Sequence, residues 1–453
     1  MLISVDIGST WTKGAVFAPE DGQLTLVDRV STATTTGDLS RCFKKILEGL
    51  RPVAGETAPV VCSSSAHGGL KIIALGIVPE LTLESARLAA LSAGGKLMKA
   101  YAYRLNTSDI EEIQAADPDI LLFTGGTDGG NQSYLRHNAR MIAESQLTCP
   151  ILYAGNRDLT DFIKDALGHK ELLLAPNVLP DLDTPSPQGA RDMIRDTFMS
   201  SIIQGKGLSK IVDLTGAAPI PTPASVFDYV SLVDEQNIFK GDFALVDMGG
   251  ATTDYYSAVK ETKGDRVIHK GIREPRIKRS VEGDLGMRVS ALSALETDRA
   301  GFLNHCSDQG HDPEAVLAYL EKVNRDTAHI PSDPQEKEWD TLLAGLCTVT
   351  ATVRHSGTRQ ERFTTSGPVF IEAGRDQTQV KTIIGTGGYL SQFKDSPVAA
   401  YPVPALTPKG EEILSPASYR YYRDHRYLIP LLANAARQYP HEAAASLLPN
   451  LEG

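Results

Sequence analysis

Two acidic hairpins flanked by glycines concentrate the residue types able to do chemistry in this 453-residue chain: ISVDIGSTWTKGAVF, with Asp6, and FALVDMGGATTDYYSAV, with Asp247. In each, an apolar strand ends in the acid, small residues let backbone N–H groups approach a phosphate, and a second β-rich strand returns. Around Asp6, Gly8, Ser9 and Thr10 supply backbone and hydroxyl donors, and Lys13 adds a cation for the β- and γ-phosphates. Around Asp247, Gly249, Gly250 and Ala251 keep the turn open while Thr252 and Thr253 can donate to phosphate oxygens. A carboxylate alone repels a phosphate. Asp6 and Asp247 therefore imply Mg²⁺, which two carboxylates hold directly or through its retained waters. One such hairpin reads equally well as an ordinary Asp-Gly turn. Two with the same grammar, joined by a third glycine-ended strand, VKTIIGTGGYLSQF, predict a nucleotide clamped between two similar domains, with ATP and Mg²⁺ as cofactors.

The elements that must position these residues divide the chain at its glycine and proline clusters. Residues 1–50 read as strand, Asp6 turn, strand, Asp21-Gly22 turn, strand, and a helix from about Asp38 to Leu50. From about residue 58 to 200 the pattern changes to apolar strands (VVCSS, KIIALG, ILLFTGG, CPILYAG, ELLLAPN) alternating with helical segments (LESARLAALSAGGKLMKA, NQSYLRHNARMIAES, LTDFIKDALG, QGARDMIRDTFMSSII). That alternation predicts a doubly wound α/β unit with a largely parallel sheet. From about 205 to 395 the first pattern returns with the Asp247 hairpin, a helix after Gly283 and the strand KTIIGTGG. A basic, tyrosine-rich tail, SPASYRYYRDHRYLIP, leads into a final helix.

Bulk properties narrow the class. A chain this long exceeds one core and allows two to four domains. The net charge of −11 argues against a nucleic-acid partner. Cys42, Cys62, Cys149, Cys306 and Cys347 form no CxxC pair, so neither a disulfide framework nor a zinc site is indicated, and a reducing cytoplasm is expected. LISVDIG opens the chain without a leader pattern, and no stretch approaches the ~20 apolar residues of a membrane span. Neither export nor membrane insertion is expected.

The three glycine elements in this order, Asp6-x-Gly8-x-Thr10, Asp247-x-Gly249-Gly250 and Gly385-Thr386-Gly387-Gly388, resemble the phosphate-one, phosphate-two and adenosine motifs of the actin, heat-shock-ATPase and sugar-kinase superfamily. The resemblance implies an α/β fold of two ribonuclease-H-like (actin-like ATPase) lobes with an inserted α/β domain. The corresponding boundaries are 1–57 for the first part of lobe one, 58–200 for the insertion, 201–240 for the segment completing lobe one, 241–395 for lobe two, and 396–453 for a tail and helix. PTPASVFDYVSL (221–232) looks like the superfamily's first connecting helix. SVEGDLGMRVSAL (280–292) looks like the segment opening the adenine-side subdomain, which brings Glu282, Asp284 and Arg288 near the nucleoside. The resemblance makes Asp6, Lys13 and Asp247 the candidate catalytic residues and Gly385, Gly387 and Gly388 nucleoside contacts.

A closer resemblance covers most of the chain. DIGSTWTKGAVF, FTGGTDGGN, PNVLPDLDTPSPQGARDMIRDTF, LVDMGGATTDYYS, SVEGDLGMR and RHSGTRQERFTTSGPVFIEAGRDQTQVKTIIGTGG resemble the glutamate mutase-associated MutL family. This implies a partner, an adenosylcobalamin-dependent mutase, and a role as an accessory protein or reactivation factor. One departure bears on mechanism. Where actin and the heat-shock ATPases begin the connecting helix with a water-positioning Gln or Glu, this chain has Ile220-Pro221-Thr222-Pro223. Hydrolysis is therefore expected to be slow, or to depend on Asp254, Glu282 or a partner's residue.

Three further segments stay open. LLFTGGTDGGN (121–131) reads as a phosphate loop or as a strand-to-helix turn shaped by glycine. His67, in CSSSAHGGL, reads as a ligand or plain surface. His355 with Arg354, Arg359 and Arg362 reads as an anion site or a solvated hairpin. The sequence as a whole predicts a Mg-ATP-dependent switch. A small-molecule kinase and a catalytically inactive nucleotide-binding scaffold are the alternatives.

Overall fold

The computed structural model describes residues 1–35, 37–65, 70–182, 184–203, 208–261, 264, 266–365, 367–392, 394 and 397–453. The candidate ligand His67 lies outside them. The chain forms two compact units: Met1–Ala18 with Leu26–Val226 and Lys270–Arg273, and Pro19–Thr25 with Phe227–His269 and Glu274–Gly453. Among the described residues no helix is long and apolar enough to cross a membrane. All five cysteines are free.

The first unit is built on Leu2–Ile7, whose six residues are all buried. It pairs antiparallel with Trp11–Glu20 and parallel with Val60–Ser64, and Ile220–Pro221 adds parallel to the latter. Beyond Trp11–Glu20 lies Gln23–Ala33, reached through Asp21 and Gly22, both at positive φ, as a two-residue hairpin turn requires. Numbered by their own chain order, the strands lie 3-2-1-4-5. The amphipathic helix Leu39–Ala54, capped by Asp38, buries Phe43, Ile46 and Leu50 in the same core as Ile3 and Val5.

The second unit repeats this plan. Phe243–Met248 is central, Thr253–Ala258 and then Ile277–Glu282 follow antiparallel, and Thr382–Thr386 and Arg420–Arg423 add parallel on the other side. The order is again 3-2-1-4-5. Two sheets of ribonuclease-H-like topology, each led by one acidic hairpin, are the architecture the glycine elements implied. The tail expected at 396–453 supplies the fifth strand, Arg420–Arg423. Its two tyrosines suit a strand, and the flanking arginines made it read as a polar tail. A helical portion follows the third strand, ending in Pro334–His355, and a small antiparallel sheet contains Thr358–Thr364 and Gly367–Ala373.

The insertion is a five-stranded parallel sheet ordered Lys96–Tyr101, Lys71–Leu75, Ile120–Phe123, Ile151–Tyr153, Leu172–Leu174, the doubly wound pattern expected. One face (Ile73, Leu75, Leu121, Phe123) packs under the helices Thr107–Ala116, Ser133–Glu144 and Thr160–Leu167. The other face (Ile72, Ala74, Leu122) shares a core with the first lobe. Two sequence expectations shift here. Val60–Ser64, read as the insertion's first strand, belongs to the lobe sheet, because a β-branched apolar run suits either sheet and only pairing with Leu2–Ile7 decides it. The segment read as one helix from Leu83 to Ala100 is the helix Glu84–Ser92 followed by the strand Lys96–Tyr101. Gly94 breaks it: its φ of 88° suits glycine, and a Cβ there would lie 3.0 Å from Pro221 Cβ.

Candidate functional site

The two acidic hairpins are superimposable in register. Asp6 faces Lys13 across the first and Asp247 faces Asp254 across the second, each pair seven residues apart. In the first, Gly8 N–H donates to Trp11 O at 3.1 Å, and in the second Gly249 N–H donates to Thr252 O at 2.9 Å. In both, the turn's carbonyls are taken by neighbouring segments. Thr34 donates its hydroxyl to Gly8 O (2.8 Å) and its N–H to Thr10 O (2.9 Å). Met287 N–H donates to Gly249 O, Arg288 N–H to Gly250 O, and the Ser290 hydroxyl to Ala251 O (2.6 Å). Among the described residues nothing accepts from the N–H groups of Ser9, Thr10, Gly250 or Ala251. Ser9 and Thr10 are exposed. Consecutive free N–H groups in a turn, with the carbonyls tied elsewhere, form an anion-binding concavity.

The carboxylates are held differently. Asp6 is 1% exposed, and its Oδ1 accepts from Ser63 Oγ (3.0 Å) and Thr222 Oγ1 (2.7 Å). Opposite residues of an antiparallel pair share one sheet face, so Asp247 and Asp254 set two carboxylates side by side, an unfavourable pairing unless positive charge joins them. Arg279, on the third strand, donates to Asp254 Oδ2 at 3.0 Å. Burial works against the Arg279 charge, but Asp254 and Tyr256 more than offset it and raise its pKa above the ordinary value. Asp254 Oδ1 is buried with no hydrogen-bond partner among the described residues. A buried acceptor without a donor calls for a water or an ion.

These observations fit Mg²⁺. Among the described residues no group of three or more His, Cys, Asp or Glu side chains is placed to hold a metal ion by itself. Mg²⁺ keeps several waters and needs only one or two carboxylates.

The adenosine-like strand closes on the second hairpin. Gly387 has φ 99°, and a Cβ there would come 2.1 Å from Met248 O, so only glycine permits this approach. Thr386 beside it donates to Asp424 (2.9 Å). The predicted nucleoside contacts Glu282, Asp284 and Arg288 sit beside this hairpin, yet each makes a protein ion pair. Arg354 donates to Glu282 (2.7 Å) and to both oxygens of Asp284. Burial opposes the Asp284 charge, and the Arg354 hydrogen bonds override it, lowering the Asp284 pKa. Arg288 makes a two-pronged pair with the buried Asp340 (3.0 and 2.8 Å) while its N–H ties Gly250. The reading of a solvated hairpin holds for Arg362, exposed on the strand Thr358–Thr364, but not for Arg354, His355 or Arg359 before it. Arg354 is neutralised by acids, Arg359 pairs with Glu372, and His355 is buried between Ser257 and Ser280 (both 2.8 Å).

Ser63, Thr222, Arg279 and Asp340 were missed by sequence reasoning. The first two are hydroxyls in strings singled out for other reasons, His67 and the start of the connecting helix, and only the pairing of distant segments brings them to Asp6. In the insertion, the 121–131 loop stands at the carboxyl end of Ile120–Phe123, with Asn177 donating to Gly126 O (3.0 Å) and Asp128 (2.9 Å).

Two sheets of ribonuclease-H-like topology, each carrying a register-matched acidic phosphate hairpin, define the actin-like ATPase fold class. Within it, the chain belongs to the MutL protein family, whose profile matches residues 2–450. It is 34% identical to "Protein MutL" of Clostridium tetanomorphum over 97% of this chain and 96% of that one. Among solved structures, a 2-dehydro-3-deoxygalactonokinase-like protein of Sinorhizobium meliloti is 12% identical, with TM-score 0.34, over 97% of both chains. The nucleotide-free acetone carboxylase is 11% identical, with TM-score 0.29, over 64% of this chain and 48% of that one. Likenesses this distant carry no argument.

Proposed function

We propose that this protein is a Mg-ATP-dependent switch acting as an accessory or reactivation factor for an adenosylcobalamin-dependent glutamate mutase or aminomutase. The observation that carries the nucleotide reading is the register identity of the hairpins, with free N–H groups at both turns. Membership of the MutL family supports the mutase partner. Mg-ATP would supply the polyphosphate and the free energy of its hydrolysis. The N–H groups of Ser9, Thr10, Gly250 and Ala251 donate to phosphate oxygens, and Thr252 and Thr253 flank that cradle. Lys13 places its cation at the phosphates. Asp6 and Asp247 would hold the metal, directly or through its retained waters.

Asp254 occupies in the second hairpin the place Lys13 has in the first, and its buried Oδ1 is the candidate acceptor for the proton of an attacking water. The start of the connecting helix offers no Gln or Glu, and Thr222 is occupied by Asp6, which supports slow turnover. The inserted parallel sheet is the candidate contact for the mutase, being surplus to a minimal two-lobed ATPase.

The test takes a mutase inactivated by a cobalamin lacking its adenosyl group. ATP, Mg²⁺ and this protein are expected to restore turnover when fresh coenzyme is added. The affinity for the mutase should differ between the ATP and ADP states by roughly 5- to 150-fold, the usual range of such coupling. No recovery, with mutase binding indifferent to nucleotide, removes the reactivation role and leaves the ATPase reading. Transfer of the γ-phosphate to a small molecule would instead favour a kinase.

A further inference from the structure

We propose that Thr222 is a positioning residue for the metal-holding carboxylate of Asp6, an inference that rests on the Mg-ATP reading above. The buried Asp6 carboxylate receives two hydroxyl hydrogen bonds on one oxygen, Oδ1. Ser63 reaches it from the neighbouring parallel strand, as its direct register partner. Thr222 reaches it from 216 residues away, at 2.7 Å, the shorter of the two bonds. Hydrogen bonds to an ionised acceptor are the stronger ones, and two on a single oxygen fix the rotation of the carboxyl group. The other oxygen is thereby aimed rather than left to rotate, which is what a carboxylate needs when it binds a metal through ordered waters.

The placement of Thr222 is built from three sides. The short strand Ile220–Pro221 pairs with Ser63 and Ser64, so the residue after it is set by the same ladder that sets Ser63. Thr222 then opens the helix Thr222–Glu235. The insertion's Gly94 turn packs against that start, with a Cβ at Gly94 reaching 3.0 Å from Pro221 and 3.2 Å from Ala224. Thr222 itself is 5% exposed and turns its hydroxyl to the acid. The stretch that lacks a water-positioning Gln or Glu thus serves the metal instead of the water.

Titration calorimetry of ATP into the full-length protein, with Mg²⁺ and in excess EDTA, tests this without measuring turnover. Thr222→Val should weaken Mg-ATP binding at least about tenfold, as expected for a lost hydrogen bond to a charged group, while leaving binding in EDTA within about twofold of wild type. Thr222→Ser should restore the Mg-ATP affinity to within about twofold. If the valine variant does not fold, Thr222→Ala carries the same expectation. A loss of equal size with and without Mg²⁺, or no loss at all on a wild type whose binding depends on Mg²⁺, overturns this inference alone. A wild type that binds ATP without regard to Mg²⁺ overturns it together with the reading beneath it.

Discussion

At position seven after each leading acid, the two hairpins carry opposite charges: Lys13 in the first and Asp254 in the second. A cation at that place suits binding of a phosphate, and a buried carboxylate with one unpartnered oxygen suits acceptance of a proton. Asp254→Asn keeps size and the Arg279 side but removes the base. ATP affinity should stay within about threefold of wild type while phosphate release falls about a hundredfold or more, the low end of a general base's contribution. Wild-type release itself should be well below the ~10 s⁻¹ median of metabolic enzymes. Unchanged turnover in the asparagine variant would remove Asp254 from the chemistry. The leading acids, the glycines and Lys13 were legible because each hairpin is a contiguous string. Ser63, Thr222 and Arg279 were not, since each reaches its acid through strand pairing or a helix start, which no local spacing records. Arg288 was expected near the nucleoside by resemblance, but neither its N–H bond to Gly250 O nor its pairing with Asp340, 52 residues on, was legible.

At the scale of elements, the long helix Pro334–His355 ends in a histidine whose ring is sealed between two strands of the second lobe. Ser257 and Ser280 bond its two nitrogens, and Tyr255 packs against the ring. Burial first, then the nearby Lys278 and Arg375 charges, hold its pKa well below 6.5. His355 stays neutral in the fold, whereas the unfolded chain takes up a proton below its ordinary value of about 6.5. Its contribution is complete above that pH and is lost as pH falls below it, with a slope of at most about 1.4 kcal/mol per pH unit. Urea unfolding at pH 7.5 and 5.5 should show the wild type losing more stability on acidification than His355→Gln. An equal loss in both proteins would mean that the histidine does not set this dependence. His355 looked like part of a charged hairpin in sequence because its chain neighbours Arg354 and Ser356 are polar, while the residues that bury its ring, Tyr255, Ser257 and Ser280, lie far upstream in the chain. Likewise, Gly94 stops a helix that composition alone would carry on to Ala100.

For the whole molecule, the repeated 3-2-1-4-5 sheet order is the feature from which the functional reading grows. Its first three strands were readable in the first half, where they follow one another through short turns; in the second half only the hairpin was, because Ile277–Glu282 comes after a further strand, Val267–Lys270. The fourth strand of the second sheet, Thr382–Thr386, was legible through its terminal glycines, but Val60–Ser64, Ile220–Pro221 and Arg420–Arg423 were not assigned to their sheets, because they arrive after long excursions and carry no signature of the sheet they join. The central claim is that both hairpins act on one Mg-bound nucleotide. Calorimetric titration of ATP into the wild type and into an Asp6→Ala/Asp247→Ala variant, each with and without Mg²⁺, tests it most directly. The account predicts binding by the wild type that tightens with Mg²⁺, and binding by the variant that is weaker and no longer responds to the metal. Equal affinity with and without Mg²⁺, or equal affinity in the two proteins, would contradict it.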